Sequence, residues 1–426
     1  MPLMVCLIIL LAGIAAVARL AVVRGLVQVA VKTLVKIIAK TVVTAMAGVD
    51  KKKRRTIQIT LTEKCNLNCT YCYERNKDTS LMPLDMAKSI ISEALLAEDG
   101  YNFIEFDFHG GEIALAFDQL KKICEWLWAL DWPKEYVCYG TTNGTLIHNE
   151  IKDWFATNGS RFRLGLSLDG TREMHNLNRS NSYDSIDFDF FKDMWPDQSC
   201  KMTISKLSLP YLCEGIKHIH SLGFSFSANL AYGLDWDTSL LTIYRDQLAA
   251  VCKFYLDNPD LQVVNLLNLP IFMVGLADIS DTVPRKKWCG TGSSMTCFAP
   301  DGRQYPCQAF MPSSEVVDGD QLLSKFKFDD IDNFLDDKCK KCIFERACPT
   351  CYAHNFMESG NLRSRVQGLC KYRKVEAVAA SYLQGMMIRE GNKYRFVRET
   401  PTRNIPLIAK GALLIQNAFA DEVESF

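Results

Sequence analysis

The chain has 426 residues, 48% of them apolar and 23% charged, enough for a large catalytic domain with a smaller appendage and a sizeable buried core. Its 49 Lys/Arg and 49 Asp/Glu cancel, which argues against an electrostatic nucleic-acid footprint on the main body. The seventeen cysteines are odd in number and gather in two tightly spaced knots. That pattern points away from a disulfide framework and toward thiolate ligation of metal in a reducing compartment.

The balanced total hides a basic N-terminal end, since residues 1–55 hold ten Lys/Arg and one acid, Asp50. Pro2 to Ala18 is apolar throughout and would form a helix of roughly 25 Å, short of a bilayer core of about 30 Å. No basic segment precedes it, so it makes a poor secretory signal. Arg24, Gln28, Lys32, Lys36 and Lys40 then recur every four residues among Val, Leu, Ile and Ala, one polar stripe of the kind found on a helix lying in a membrane interface. With the basic cluster Lys51–Arg55, residues 1–55 read as a helical extension touching a membrane surface from the cytoplasmic side. A buried helical extension, or a true start at Met46, would leave the same pattern.

From Thr56 strands and helices alternate: a strand over Thr56–Thr62, a helix near Leu84–Glu98, a strand over Phe103–Phe108 and a helix near Phe117–Ala129. Then come a strand over Tyr136–Tyr139, a helix from His148 and a strand over Phe162–Leu168. This order reads as a parallel α/β sheet or barrel with its chemistry at the C-terminal ends of the strands. The pattern continues less clearly to Leu269. Trp288–Cys370 is a Gly/Pro-punctuated, cysteine-dense second module. A helix over Val375–Arg389, a loop holding Pro401 and Pro406, and a short final helix complete the chain.

The first knot, Cys65-x3-Cys69-x2-Cys72, follows the first strand directly. Three thiolates on one short loop suit three corners of a 4Fe–4S cube and leave one iron open, whereas such clusters normally take four cysteines. An incomplete zinc site, or a cluster borrowing a distant thiol, would use the same residues. The loop, with Tyr71 before its last cysteine, resembles the signature of the radical S-adenosylmethionine (radical SAM) superfamily. That resemblance implies an open iron chelating S-adenosylmethionine, whose cleavage by one electron frees a 5′-deoxyadenosyl radical that abstracts hydrogen from substrate. It extends to Gly110-Gly111-Glu112 after the second strand, where the family's usual Pro is Ile113, and to Thr142-Asn143-Gly144 after the third. Ser167 and Asp169 at the fourth strand, with Arg179 downstream, resemble the family's ribose and carboxylate contacts. Gly110 and Gly111 are expected to let backbone approach the ligand closely, and Glu112 to assist electrostatically. The resemblance covers residues 56–275.

In the second knot Cys289 and Cys307 flank a Pro-Asp-Gly hairpin turn, followed by Cys339-x2-Cys342-x5-Cys348-x2-Cys351 and then Cys370. Paired CxxC units also occur in zinc ribbons. Residues 285–375 resemble the SPASM domain of many radical SAM enzymes, although the last pair is spaced x2 rather than x3. The resemblance implies one auxiliary 4Fe–4S cluster on Cys289, Cys307 and Cys351, with Cys297 left open as a fourth ligand or a core residue. A second would sit on Cys339, Cys342, Cys348 and Cys370. Cys6, Cys124, Cys138, Cys200, Cys213 and Cys252 read as packed thiols. His109 reads as structural rather than substrate-touching. Asp107, Asp235 and Asp237 are candidate bases, and nothing in their spacing selects one.

The fold expected is an α/β partial barrel of radical SAM type (56–275), with an N-terminal helical extension (1–55), a SPASM-like module (285–375) and a helical tail (376–426). By resemblance the substrate is a peptide or protein, as in sulfatase maturation or peptide crosslinking, and the electron comes from an external reductant such as flavodoxin or ferredoxin. The same chemistry on an alcohol or a sugar, or a non-catalytic iron–sulfur electron carrier, are the alternatives. The location expected is cytoplasmic, at the inner face of a membrane if the N-terminal segment anchors there.

Overall fold

The computed structural model describes residues 52–280 and 283–419. The membrane-contact reading of residues 1–55 therefore falls almost wholly outside the described residues, as do Cys6 and the Met46 start. Among the described residues no helix is long and apolar enough to cross a membrane. The chain divides into two compact units, Met1–Asp50 with Leu276–Val283 and Lys51–Gly275 with Pro284–Phe426; every site residue named above lies in the second.

Among the described residues there are eight strands: β1 (Arg54–Thr62), β2 (Phe103–Gly110), β3 (Glu135–Thr142), β4 (Phe162–Leu166), β5 (Cys200–Ile204), β6 (Phe226–Leu230), β7 (Met295–Phe298) and β8 (Gln304–Tyr305). The helices of seven residues or more are α1 (Leu84–Leu96), α2 (Phe117–Trp128), α3 (Asn149–Asn158), α4 (Arg172–Asn178), α5 (Phe188–Met194) and α6 (Leu212–Ser221). They continue as α7 (Leu241–Asp257), α8 (Phe272–Ile279), α9 (Tyr352–Ser359), α10 (Gln367–Glu390) and α11 (Ile405–Phe419).

β1 to β4 pair in parallel in the order β4-β3-β2-β1, as parallel strands joined by crossover helices must. Period-two alternation sorts the two faces. Ile57, Ile59 and Leu61 of β1 and Ile104, Phe106 and Phe108 of β2 are buried, as are Ala87, Ile90, Ile91 and Leu95 of α1 at helical spacing. The opposite face carries Gln58, Glu105, Asp107, His109 and Tyr139. A single parallel bridge, Ser167 to Lys201, links β4 to the parallel pair β5–β6. The strands thus form an open, partial barrel with a polar concave face, and no closed barrel.

The cysteine-dense module is not separate from this sheet. Its hairpin turns at Gly302, whose φ of +83° suits glycine, and β7 pairs in parallel with β1 on the edge away from β2. The boundary expected near residue 375 falls inside α10, with Cys370 in that helix's first turn. Pro406, expected in a loop, lies in the first turn of α11, where its missing N–H would have had no helical partner anyway.

Candidate cysteine-cluster active site

The loop that leaves β1 is gripped from three sides. On the β2 side, Gly111 donates its N–H to Thr62 O at 3.1 Å and Glu112 to Lys64 O at 2.9 Å. A methyl on Gly110 would lie 2.7 Å from Thr62 O; one on Gly111 would lie 2.6 Å from Lys64 O and nearer still to Glu63 O. The two glycines are therefore required for close approach to the cysteine loop's own backbone. The Glu112 carboxylate is buried and turned into the protein. It accepts from Ala114 N at 3.0 Å, Thr142 Oγ1 at 2.6 Å and Asn143 N at 2.7 Å, and burial raises its pKa. Asn143 Nδ2 in turn donates to Asn66 Oδ1 at 2.9 Å, inside the cysteine loop.

On the α4 side, Thr70 N donates to Asn178 O at 2.9 Å and Asn68 N to Ser180 Oγ at 3.0 Å. Asp169, fully buried, accepts from Tyr71 OH (2.6 Å), Arg179 Nε (2.8 Å), Asn178 Nδ2 (3.2 Å) and Thr203 N (2.8 Å). The Arg179 guanidinium also lies 5.4 Å from the Tyr71 ring centre, a cation–π contact. The Ser167 hydroxyl, by contrast, bonds to no described residue. On the third side, Arg75 N and Asn76 N reach Ser313 O, which ties the loop to the cysteine-rich module.

So held, Cys65, Cys69 and Cys72 are half-buried, and Cys69 and Cys72 line a cavity of about 390 Å³ with Glu74, Arg75 and Lys77. Burial pushes the Cys69 thiol up to about 11, with Arg179 pulling the other way; burial likewise raises Cys65. Lys77, not singled out in the sequence, works against its own burial and is raised by the neighbouring Cys72 and Cys65. His109 meets Glu74, Nε2 to Oε1 at 3.2 Å. Burial opposes its charge, yet Glu74 and Asp107 raise its pKa overall. Asp107 itself accepts from Gln58 Nε2 at 3.0 Å, so His109 and Asp107 both belong to the concave face beside the loop.

The second knot lines another cavity. Cys339, Cys342, Cys348, Cys351 and Cys370 surround about 600 Å³, the x2 spacing of Cys348 and Cys351 notwithstanding. Asp336 caps the short helix Asp337–Lys341 by accepting from Cys339 N at 2.7 Å. Burial pushes Cys348 up to about 12 and Cys339 to about 11. Cys351 and Cys289 also lie near Cys307, whose thiol is pushed up to about 12 by burial first and then by these two neighbours. Cys297 is a core thiol: fully buried in β7, it meets Thr60 Oγ1 at 3.5 Å and Met311 Sδ at 3.7 Å. Cys124, Cys138, Cys200, Cys213 and Cys252 are buried as expected. Among the described residues no three His, Cys, Asp or Glu side chains are grouped to hold a metal ion; the knot thiols line cavity walls instead. Partly buried thiols lining a space larger than one ion fit a polynuclear iron–sulfur group, which would bind them as thiolates.

No family model matches the chain. Over 329 residues it is 25% identical to the cysteine-type anaerobic sulfatase-maturating enzyme of Clostridium perfringens strain 13, covering 67% of this chain and 84% of the relative. It is 29% identical over 182 residues to an uncharacterized protein of Methanocaldococcus jannaschii, covering 41% of this chain and 61% of that protein, under two thirds of its length. In structure it resembles native anSMEcpe with bound AdoMet, with a TM-score of 0.59 and 20% identity over 78% of this chain and 98% of that one. It also resembles Streptococcus suis SuiB bound to precursor peptide SuiA, with a TM-score of 0.50 and 16% identity over 75% and 76% of the two chains.

Proposed function

We propose, from the premise that this chain is a radical SAM enzyme related to the anaerobic sulfatase-maturating enzymes, that it modifies a side chain of a peptide or protein. The observation that carries the reading is the Cys65–Cys69–Cys72 loop, stapled at the C-terminal end of β1 and opening beside a polar concave face. When bound there, a 4Fe–4S cluster supplies the single electron that cleaves S-adenosylmethionine, and so the radical that removes a hydrogen atom from substrate.

The chain's own residues position and shield that chemistry. Ser167 and Arg179 are the groups best placed to receive the nucleoside or carboxylate of S-adenosylmethionine, since the Ser167 hydroxyl is uncommitted. Gly110, Gly111, Glu112, Thr142, Asn143, Tyr71 and Asp169 act mainly by holding the loop. Residues 285–375 serve as an auxiliary-cluster domain on the 56–275 core, with Cys289, Cys307 and Cys351 as one ligand set and Cys339, Cys342, Cys348 and Cys370 as the other. An external one-electron reductant completes the system.

A peptide suits the concave face because β1 to β4 at about 4.8 Å spacing span about 14 Å, the length of an extended four-residue segment, and β5 and β6 continue it beyond the Ser167–Lys201 bridge. Arg163, Lys201 and Asn229 are exposed on its strands. The relative from C. perfringens is a sulfatase-maturating enzyme and the SuiB structure holds a precursor peptide, which supports the same class here.

The test is anaerobic iron and sulfide quantification with a 5′-deoxyadenosine assay. Replacing Cys65, Cys69 and Cys72 together by Ala should abolish 5′-deoxyadenosine while much of the iron stays bound. Loss of all the iron would refute the auxiliary sites. Wild-type protein that is reduced but never yields 5′-deoxyadenosine would be an electron carrier instead.

A further inference from the structure

The cavity ringed by Cys339, Cys342, Cys348, Cys351 and Cys370 is also lined by Arg365 and Arg373, and neither guanidinium is fully satisfied by the protein. Arg373 projects from α10 and is only 4% exposed. Its Nη1 donates to both Glu376 oxygens, at 2.8 and 2.6 Å, while its Nη2 is buried with no partner. Arg365 lies 5.5 Å from the Tyr352 ring centre and against the Cys339 thiol; its Nε and Nη1 are buried and unpartnered. A buried charged donor left without an acceptor is costly, so two such groups facing one cavity mark a place built for negative charge. The acid paired with Arg373 is itself engaged elsewhere, because Glu376 also accepts from Tyr244 OH at 2.7 Å; Asp336 and Glu345 line the cavity as well.

Both arginines line that one cavity together with Cys339, Cys342, Cys348 and Cys370 of one thiol set and Cys351 of the other, and Arg365 packs on the ring of Tyr352, the residue after Cys351. A cation placed between two anions stabilises each and screens their mutual repulsion. Arginine suits the position because it stays charged when buried.

We propose that Arg365 and Arg373 form a cationic partition between the two auxiliary cysteine sets, offsetting the negative charge of the cluster each set would hold and favouring the form that carries one more electron. The inference rests on the auxiliary-cluster reading above. Net charge and hydrogen bonds near the sulfurs are among the factors that set cluster potentials, so the partition makes the auxiliary sites better electron acceptors.

The experiment uses the full chain with Cys65, Cys69 and Cys72 replaced by Ala, reconstituted anaerobically, so that only auxiliary signals remain. Iron per chain and midpoint potentials, followed by electron paramagnetic resonance, are measured for Arg365→Gln, Arg373→Gln, Arg365→Lys and Glu376→Gln. The Gln variants of the two arginines should keep their iron, with auxiliary potentials lowered by at least about 59 mV, a tenfold change in the one-electron equilibrium. Arg365→Lys should recover most of that loss. Glu376→Gln, which uncovers the Arg373 charge, should shift the potentials upward, and with Arg365→Gln it decides the matter if Arg373→Gln does not fold. Full iron with unmoved potentials would overturn the partition alone. A parent protein without iron would overturn the auxiliary-cluster reading and the partition with it.

Discussion

Adding one methyl group at Gly111 should disable the cysteine loop, while the same change at Gly385 should be harmless. In Gly111→Ala the new carbon meets Lys64 O at 2.6 Å and Glu63 O closer still, against an ordinary contact of about 3.5 Å. Both obstacles are backbone carbonyls, which cannot rotate away, so the strand end and the loop must separate by about 1 Å. Overpacking of that size costs about 1–3 kcal/mol. Losing the Gly111–Thr62 and Glu112–Lys64 hydrogen bonds adds about 1 kcal/mol each. A net destabilisation of about 3–5 kcal/mol follows, concentrated on the backbone that carries Cys65. Gly385 sits in the interior of α10 with nothing within 4 Å of an added methyl, so Gly385→Ala should stabilise by about 0.5–1 kcal/mol through helix propensity. Thermal unfolding of iron-free protein measures both, and iron retention after anaerobic reconstitution tests the loop. Equal unfolding temperatures for the two variants, with full iron in Gly111→Ala, would refute the reasoning.

Asp169→Asn should cost about 3–5 kcal/mol in denaturant unfolding, because it strands Arg179 as a buried charge without its partner, whereas Tyr71→Phe removes one hydrogen bond and should cost about 1 kcal/mol. Cys297→Ala should lower stability by about 1 kcal/mol and leave the iron content of reconstituted protein unchanged; Cys348→Ala should reduce it. Burial holds His175 and His220 at about 4, below their ordinary value of 6.5. Both are neutral in the folded chain and take up protons more readily when unfolded, so iron-free protein should be fully stable above pH 6.5 and lose stability from there down to about pH 4. The loss amounts to roughly 3 kcal/mol at most for the fully buried His175 and less for the partly exposed His220, where solvent screens the effect, and His175→Gln should flatten part of that slope in unfolding free energies measured against pH.

The two thiol knots could be read from the chain because most of their cysteines are near neighbours. An x3 or x2 spacing confines thiols to one loop whatever the rest of the fold does, and the alternation of Ile104, Phe106 and Phe108 with Glu105, Asp107 and His109 fixes which face of β2 is buried. The roles of the motif residues were less legible. Glu112 and Asp169 carry the residue types of a binding site, yet their oxygens face protein donors, and nothing local distinguishes a carboxylate that holds a loop from one that meets a ligand. The sequence around His109 shows no partner for it, since Glu74 lies 35 residues away beyond the cysteine loop.

Composition and spacing, then, determined the parallel strand–helix order, the three-thiol loop above the first strand and the cysteine-rich second module. Tertiary structure alone decided that β7 lies against β1 and so joins that module to the core sheet. It also decided that Cys297 turns into the core, that Gly110 and Gly111 close on the cysteine loop, and that Arg365 and Arg373 share a cavity with thiols. The physical reason is range. Local periodicity and short spacings constrain residues a few positions apart, whereas Thr60 and Cys297 are 237 residues apart, and only the packed chain brings such residues within reach.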